Sequence, residues 1–285
     1  MLTEFAGRTA VVTGAASGIG LGIARRCRDR GMNVVMLDVE SGALNDAAAG
    51  VGADEHVLPL QSDVSDPEGM EQVAAAAYDR FGAVHLLVNN AGVSITGPLW
   101  AMTPKDWSWV VGVNLIGVAN GIRSFGSRMV EAGEEGHIVS TSSLAGLTPM
   151  PHAGVYSATK AGVVALSEVL YHDLRAAGSK IGVSVLCPGL VNTNILKSVR
   201  NRPHGAAETA DMPIPDEALE FFKLGDTPED VADRVLRAVE HDDFYILTGE
   251  GGRPDIEARM KAMVELGPPA MPNPGSIMPD KPVGG

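Results

Sequence analysis

Short, unbroken apolar runs alternate along this chain with longer amphipathic segments, and few folds accommodate that rhythm. TAVVTG (9–14) reads as a strand ending in a glycine turn, GIGLGIARRCRDRG (18–31) as a helix closed by Gly31, and NVVMLD (33–38) as a second strand. A helix near 41–50 and a strand in HVLPLQSD (56–63) follow. PEGMEQVAAAAYDRFG (67–82) is then a helix with Pro67 at its start and Gly82 at its end. VHLLVNNAG (84–92), GHIVSTSS (136–143), IGVSVLCPG (181–189) and FYILTG (244–249) supply further strands, with helices expected over 104–132, 154–177 and 228–240. Continuously apolar strands that alternate with helices belong to a parallel sheet covered on both faces. The predicted fold is α/β, a doubly wound parallel sheet (Rossmann fold) in three α/β/α layers. Such sheets carry their sites at the C-terminal ends of the strands. Gly14, Asp38, Asp63, Asn89, Ser143 and Pro188 all fall there.

With 285 residues and 45% hydrophobic composition, the chain can bury one sizeable core. One domain is expected over 1–266. Its polar insert at about 192–226 follows a strand end, where a lid over a substrate would sit. Residues 267–285 carry prolines at 268, 269, 272, 274, 279 and 282, so this stretch reads as a tail outside any helix or sheet interior. The net charge of −13 argues against nucleic acid and anionic membrane surfaces as partners. No apolar run reaches the roughly 18 residues of a membrane span. MLTEFAGR lacks the apolar stretch of a signal peptide, so a cytoplasmic location is expected. Cys27 and Cys187 sit in apolar contexts and read as buried thiols rather than a disulfide. The histidines show no ligand spacing, and no metal is expected.

The segment TGAASGIG (13–20) joins the first strand to the first helix. Gly14 permits the tight turn, Gly18 lets backbone approach a pyrophosphate, and Gly20 lets the helix pack close to the sheet. Ser17 and Ile19 lie between them, at a helix N-terminus whose N–H groups and partial positive charge suit phosphate. A carboxylate ends the second strand: Asp38, 18 residues after Gly20. It can accept from an adenosine ribose diol and would repel a 2′-phosphate. Val39 and Ser17 are not basic, so NAD is expected rather than NADP. Asp63 and Val64 end the third strand, where a carboxylate can meet the adenine amino group.

Six motifs in order — TGAASGIG, NNAG (89–92), Asn114, Ser142-Ser143, YSATK (156–160) and PGLVNT (188–193) — resemble the short-chain dehydrogenase/reductase family over roughly residues 5 to 250. On a helix, Tyr156 and Lys160 lie one turn apart on one face, and an ammonium there favours the phenolate. The resemblance implies an enzyme in which Tyr156 passes a proton during hydride transfer and Lys160 also bonds the nicotinamide ribose. It further implies that a serine 13 residues before the tyrosine, Ser143 rather than Ser142, holds the substrate oxygen, and that Asn114 binds a water in a proton relay. It assigns Asn90, Ala91 and Gly92 to the cofactor side. Pro188, Gly189, Val191 and Thr193 would meet the nicotinamide carboxamide.

A pocket lined by Ser94, Ile95, Ala145, Leu147, Met150, His152, Leu190 and Leu196, with Met212 and Phe221 or Phe222 from the insert, is mostly apolar and offers no arginine clamp. The expected substrate is a bulky apolar secondary alcohol or ketone, aromatic, alicyclic or steroid-like. An NADPH-dependent 3-oxoacyl-thioester reductase is the alternative enzyme, which Asp38 opposes. A dinucleotide-sensing regulatory protein on the same fold is the alternative outside catalysis, and such proteins usually lack the tyrosine or the lysine. The helix at 154–177 carries a wide apolar surface at Val163, Val164, Leu166, Val169, Leu170, Tyr171 and Leu174. By the resemblance, that surface suggests a homodimer or homotetramer built on the two long helices.

Overall fold

A computed structural model of the chain describes residues 2–52, 54–203, 216–249, 252–273 and 275. Met212 and most of the proline-rich tail lie outside the described residues. Strands β1 (Thr9–Thr13), β2 (Asn33–Asp38), β3 (Val57–Gln61), β4 (Leu86–Asn89), β5 (Gly136–Thr141), β6 (Ile181–Cys187) and β7 (Tyr245–Leu247) form one seven-stranded sheet. Every pairing is parallel, in the order β3-β2-β1-β4-β5-β6-β7. The order reverses between β1 and β4, so a crevice opens beyond their C-terminal ends.

Helices α1 (Gly18–Asp29), α2 (Ser41–Gly52) and α3 (Pro67–Phe81) connect the first strands. The predicted helix at 104–132 is continuous but uneven. It runs through α4 (Pro104–Val111), a π-helical turn at Gly112–Ile116, α5 (Gly117–Gly121), a second π-helical turn at Ile122–Gly126, and α6 (Ser127–Ala132). After β5 come the short α7 (Leu144–Leu147) and the long α8 (Gly154–Ala176). After β6 come a 3₁₀ helix at Ile195–Asn201, then α9 (Asp216–Phe222) and α10 (Pro228–His241). Helix α11 (Gly252–Val264) follows β7.

Local chemistry fixes several of these starts. Asp66 accepts from Glu68 N ahead of Pro67, Thr103 and Asp106 cap each other ahead of Pro104, and Thr227 accepts from Asp230 N ahead of Pro228. The strands divide their residues between two cores. Ala10, Val12, Val34 and Met36 face the layer that holds Ile23, Cys27, Val231 and Val235. Val11, Val35 and Leu37 face the layer that holds Met70, Phe125 and Leu174. Helices α1 and α10 touch closely enough that a Cβ on Gly22 would sit 2.6 Å from Pro228 O.

The wide apolar surface of α8 is largely used inside the chain. Val163, Val164 and Leu174 are buried, and a Cβ on Gly162 would lie 3.0 Å from Leu115 Cδ1 of the 104–132 helix. Of that surface, Val169 is the large apolar side chain left exposed, and Ile116 and Val130 are exposed on the neighbouring helix.

Where β5, β6 and the end of α10 meet, a serine and a histidine sealed from solvent lie beside a partly exposed aspartate. Ser184 Oγ donates to Asp243 O (2.6 Å), so it accepts from His137 Nε2 (2.7 Å), which fixes the imidazole tautomer. His137 Nδ1 faces Asp242 Oδ1 at 3.8 Å, while Asp242 Oδ2 accepts from Arg175 (2.7 Å). No nucleophile is exposed here, and the group is structural. Burial pushes the His137 pKa down to about 4, against the opposing pull of Asp242. The folded value lies below the unfolded one of about 6.5, so this histidine's contribution to stability is intact above that pH and is lost as pH falls towards 4. The expected loss is about 3 kcal/mol at the acid end. Denaturant titrations at pH 7 and pH 4.5 on wild type and His137→Asn check it. The wild type should lose more stability than the variant, and parallel losses would show that His137 contributes nothing.

Candidate active site

Beyond the strand ends lies one cavity of about 440 Å³. Its first wall is the turn from β1 to α1. Gly14 (φ +66°) and Gly18 (φ +54°) both occupy the left-handed region that glycine tolerates. A Cβ on Gly18 would lie 3.1 Å from Thr193 Cγ2, so the bare glycine lets the 188–193 segment pack close against the turn. Ser17 caps α1 without a side-chain hydrogen bond, and the first turn of α1 holds no acid. The N–H groups of that turn are therefore left for an anion at the cavity. Gly20 does not line the cavity. It packs beneath the turn, against Gly14 O and Asn90 Nδ2.

Asp38 stands at the end of β2 on the cavity wall. Its Oδ2 accepts from Ala16 N (3.0 Å) and its Oδ1 from Glu40 N (3.1 Å). Each oxygen keeps acceptor capacity for a vicinal diol. Asp63 and Val64 line the same end, with Asp63 Oδ1 taken by Ser65 N and Oγ (2.8 Å each). Asn90 laces the central strands: its Nδ2 donates to Thr13 O (3.0 Å) and its Oδ1 accepts from Thr141 Oγ1 (3.3 Å). Thr13 Oγ1 in turn accepts from Asn90 N (2.8 Å) and Ala91 N (2.9 Å). These bonds hold Asn90, Ala91 and Gly92 on the cavity wall. Opposite them run Pro188, Gly189, Val191 and Thr193, with Gly189 N donating to Thr248 Oγ1 (3.0 Å).

The cavity narrows towards α8. Tyr156 falls in the first turn of α8, where the helix dipole favours negative charge. Lys160 lies one turn on, its Nζ 5.6 Å from the Tyr156 ring centre. Burial pushes the Lys160 pKa down to about 8, and Nζ donates to Thr141 O (2.8 Å). The Tyr156 pKa lies above its usual value rather than below it. Burial raises it, and the hydrogen bond with Ser143 is the opposing pull.

The two serines separate by partner. Ser142 Oγ is spent on Lys160 O (2.7 Å), whereas Ser143 Oγ meets Tyr156 and accepts from Ala145 N (3.1 Å). Asn114 is buried behind the cavity and does not line it. It sits in the first π-helical turn, accepts from Val93 N (2.8 Å), and donates to Val93 O (2.9 Å) and Thr159 Oγ1 (3.2 Å). A Cβ on Gly92 would fall 3.3 Å from Lys160 Nζ and 3.5 Å from Asn114 Oδ1, so the glycine keeps the space between those two groups open. Cys187 lies beside them, its thiol pushed up to about 12 by burial, and stays protonated.

Ser94, Ala145, Met150, His152, Leu190, Leu196 and Phe222 line the remaining wall. Ile95 and Leu147 do not. Ile95 is buried against Val110 and Val155, and Leu147 packs towards Val163 and Val185. Phe221 is also off the wall. His152 is exposed at the rim and adopts φ +61°, a left-handed conformation unusual for a side chain. Trp109, Val113 and Arg200 also line the cavity, without any motif to announce them. Trp109 comes from α4, whose register against α8 decides which residues point inward. Arg202 stacks over Trp109 (5.5 Å) and forms a buried ion pair with Asp106.

The short chain dehydrogenase family profile matches residues 8–204. A CLA biosynthesis dehydrogenase/reductase of Lactiplantibacillus plantarum is 31% identical over 94% of this chain and 97% of its own length. A C alpha-dehydrogenase of Sphingobium sp. is 34% identical over 93% of this chain and 88% of its own. The crystal structure of a short chain dehydrogenase/reductase from Burkholderia phymatum in complex with NAD superposes with a TM-score of 0.89 at 40% identity, covering 95% of this chain and 99% of that one. The parallel sheet, the glycine turn and these matches together make the chain a member of the short-chain dehydrogenase/reductase family, nucleotide-binding oxidoreductases that act on alcohols and ketones.

Proposed function

We propose that this chain is an NAD-preferring dehydrogenase and ketone reductase for bulky apolar secondary alcohols, with Tyr156 as the general acid and base. The observation that carries the reading is the meeting of Tyr156, Ser143 and Lys160 at the narrow end of a cavity whose wide end is a glycine turn facing Asp38. The cofactor, when bound, would accept the hydride as NAD or supply it as NADH. The α1 N-terminus suits its pyrophosphate, Asp38 its adenosine diol, and the 188–193 segment its carboxamide. Nucleotide-binding neighbours, one of them solved with NAD, support this cofactor.

In the oxidation direction Ser143 Oγ donates to or accepts from the substrate oxygen, which it holds within reach of the Tyr156 hydroxyl. Tyr156 takes the alcohol proton, and in ketone reduction it returns one. Lys160, charged below about pH 8, stabilises the phenolate and is held in place by Thr141 O. Asn114 and the space beside Gly92 lead from Lys160 towards a water relay. Because oxidation needs the phenolate and Tyr156 sits above its usual pKa, the oxidation rate should rise with pH. Trp109, Val113, Met150, Leu190, Leu196 and Phe222 give the substrate end its apolar character. The insert at 192–226 leaves and returns at one point, where Asn192 N donates to Asp226 O (3.0 Å) and Asp226 N to Leu190 O (2.9 Å). It serves as the lid in this reading.

The cofactor assignment is tested by titrating NADH and NADPH into wild type and Asp38→Ala. Wild type should bind NADH more tightly, and Asp38→Ala should narrow the difference by an amount typical of one charge clash, about tenfold. Equal affinities in the wild type would overturn the assignment.

A further inference from the structure

The cavity holds two cations among its described lining residues, Lys160 at the catalytic end and Arg200 at the other. Arg200 comes from the 3₁₀ helix of the insert, far in sequence from the glycine turn and Asp38. All three nitrogens of its guanidinium have partners. Nε and Nη2 donate to Glu40 Oε1 (3.0 and 2.7 Å), and Nη1 donates to Lys197 O (2.9 Å). Asn201 Nδ2 donates to the same Glu40 oxygen (2.8 Å). Glu40 belongs to the turn that begins with Asp38, and its own N–H donates to Asp38 Oδ1. Three donors on one oxygen, led by Arg200, hold the Glu40 carboxyl below its usual range.

An ion pair this exposed contributes little to stability. Its position matters more. A guanidinium is the group that best accepts a phosphate, through a planar fork of donors. Here the one guanidinium on the cavity wall among the described residues is held by Glu40, two residues after the carboxylate assigned to the ribose, and its fork is filled by that carboxylate of the same turn. We propose that Glu40 is a second determinant of cofactor choice: it occupies Arg200, which would otherwise receive the 2′-phosphate of NADP. The proposal rests on the reading that Asp38 meets the adenosine ribose. Discrimination then has two parts, repulsion by Asp38 and denial of a cation by Glu40. Replacing Asp38 alone removes the first and leaves the second.

Binding, not turnover, tests it. Dissociation constants for NADH and NADPH are measured by calorimetry at one fixed salt concentration, for wild type, Glu40→Gln and the double variant Glu40→Gln/Arg200→Gln. Glu40→Gln should tighten NADPH about tenfold, the size of one charge-assisted hydrogen bond, and change NADH far less. The double variant should lose that gain. NADH binding in the same samples reports folding, and Glu40→Ala run in parallel guards against a defect peculiar to glutamine. The proposal is overturned if Glu40→Gln leaves NADPH affinity unchanged. It is equally overturned if the gain survives without Arg200, since removal of a repelling charge would then explain it. The wild-type ratio of NADH to NADPH affinity tests the Asp38 reading separately, and the step from single to double variant reads Arg200 whichever cofactor the wild type prefers.

Discussion

Tyr156→Phe is expected to lower turnover by about a hundred- to ten-thousandfold, the range for loss of a general acid–base group, while NADH binding stays close to wild type. The substitution removes one hydroxyl. The ring keeps its place in the first turn of α8, and Lys160 keeps its bond to Thr141 O. The loss should fall on kcat and much less on KM, because the hydroxyl works on the proton in flight rather than on substrate binding as a whole. Steady-state kinetics paired with a cofactor titration separates the two. A fall in cofactor affinity as large as the fall in turnover would mean that Tyr156 shapes the cavity rather than moving a proton.

Gly20→Ala is expected to have a comparable effect by a different route. A methyl group there would collide with Gly14 O and lie 2.6 Å from Asn90 Nδ2. Both are parts of the nucleotide turn, so α1 must back away and carry its N-terminus with it. Overpacking of this kind costs about 1–3 kcal/mol of stability. It should also weaken NADH binding, since the phosphate-facing N–H groups move. Gly42→Ala in α2 is the control, because a methyl there meets nothing within 4 Å. Denaturation midpoints and NADH dissociation constants read both outcomes. Unchanged NADH affinity in Gly20→Ala would show that the close approach of α1 to the turn does not matter for the nucleotide.

The sheet was legible because buried parallel strands advertise themselves as continuous apolar runs, and the glycines and prolines between them mark the turns. The nucleotide turn and the tyrosine–lysine pair were legible for a similar reason: each is local, and spacing alone brings the partners together. Gly20 and Asn114 show the limit. Both belong to motifs, yet one supports the turn from below and the other lies behind the wall, a distinction made by packing depth. Trp109 and Arg200 had no local signal, because they reach the cavity through the register of α4 and the path of the insert.

Helix α11 was missed for a clearer cause. Arg253, Asp255, Glu257, Arg259 and Lys261 alternate with less polar residues at the period of a strand. Alanine, methionine, arginine and lysine nonetheless prefer helix, and propensity prevails where little packs against the segment. The wide apolar surface of α8 suggests a partner, but much of it covers the 104–132 helix, so only Ile116, Val130 and Val169 remain to argue for assembly there.

The most direct test is a panel of aromatic, alicyclic and steroid-like secondary alcohols offered to the protein with NAD, with NADH absorbance followed and the organic product identified. At least one alcohol should give NADH and its ketone in equal amounts, faster at higher pH, slower with NADP and almost not at all with Tyr156→Phe. If neither the alcohols nor their ketones turn over with NAD(H), or if Tyr156→Phe keeps the wild-type rate, the account of this site is contradicted.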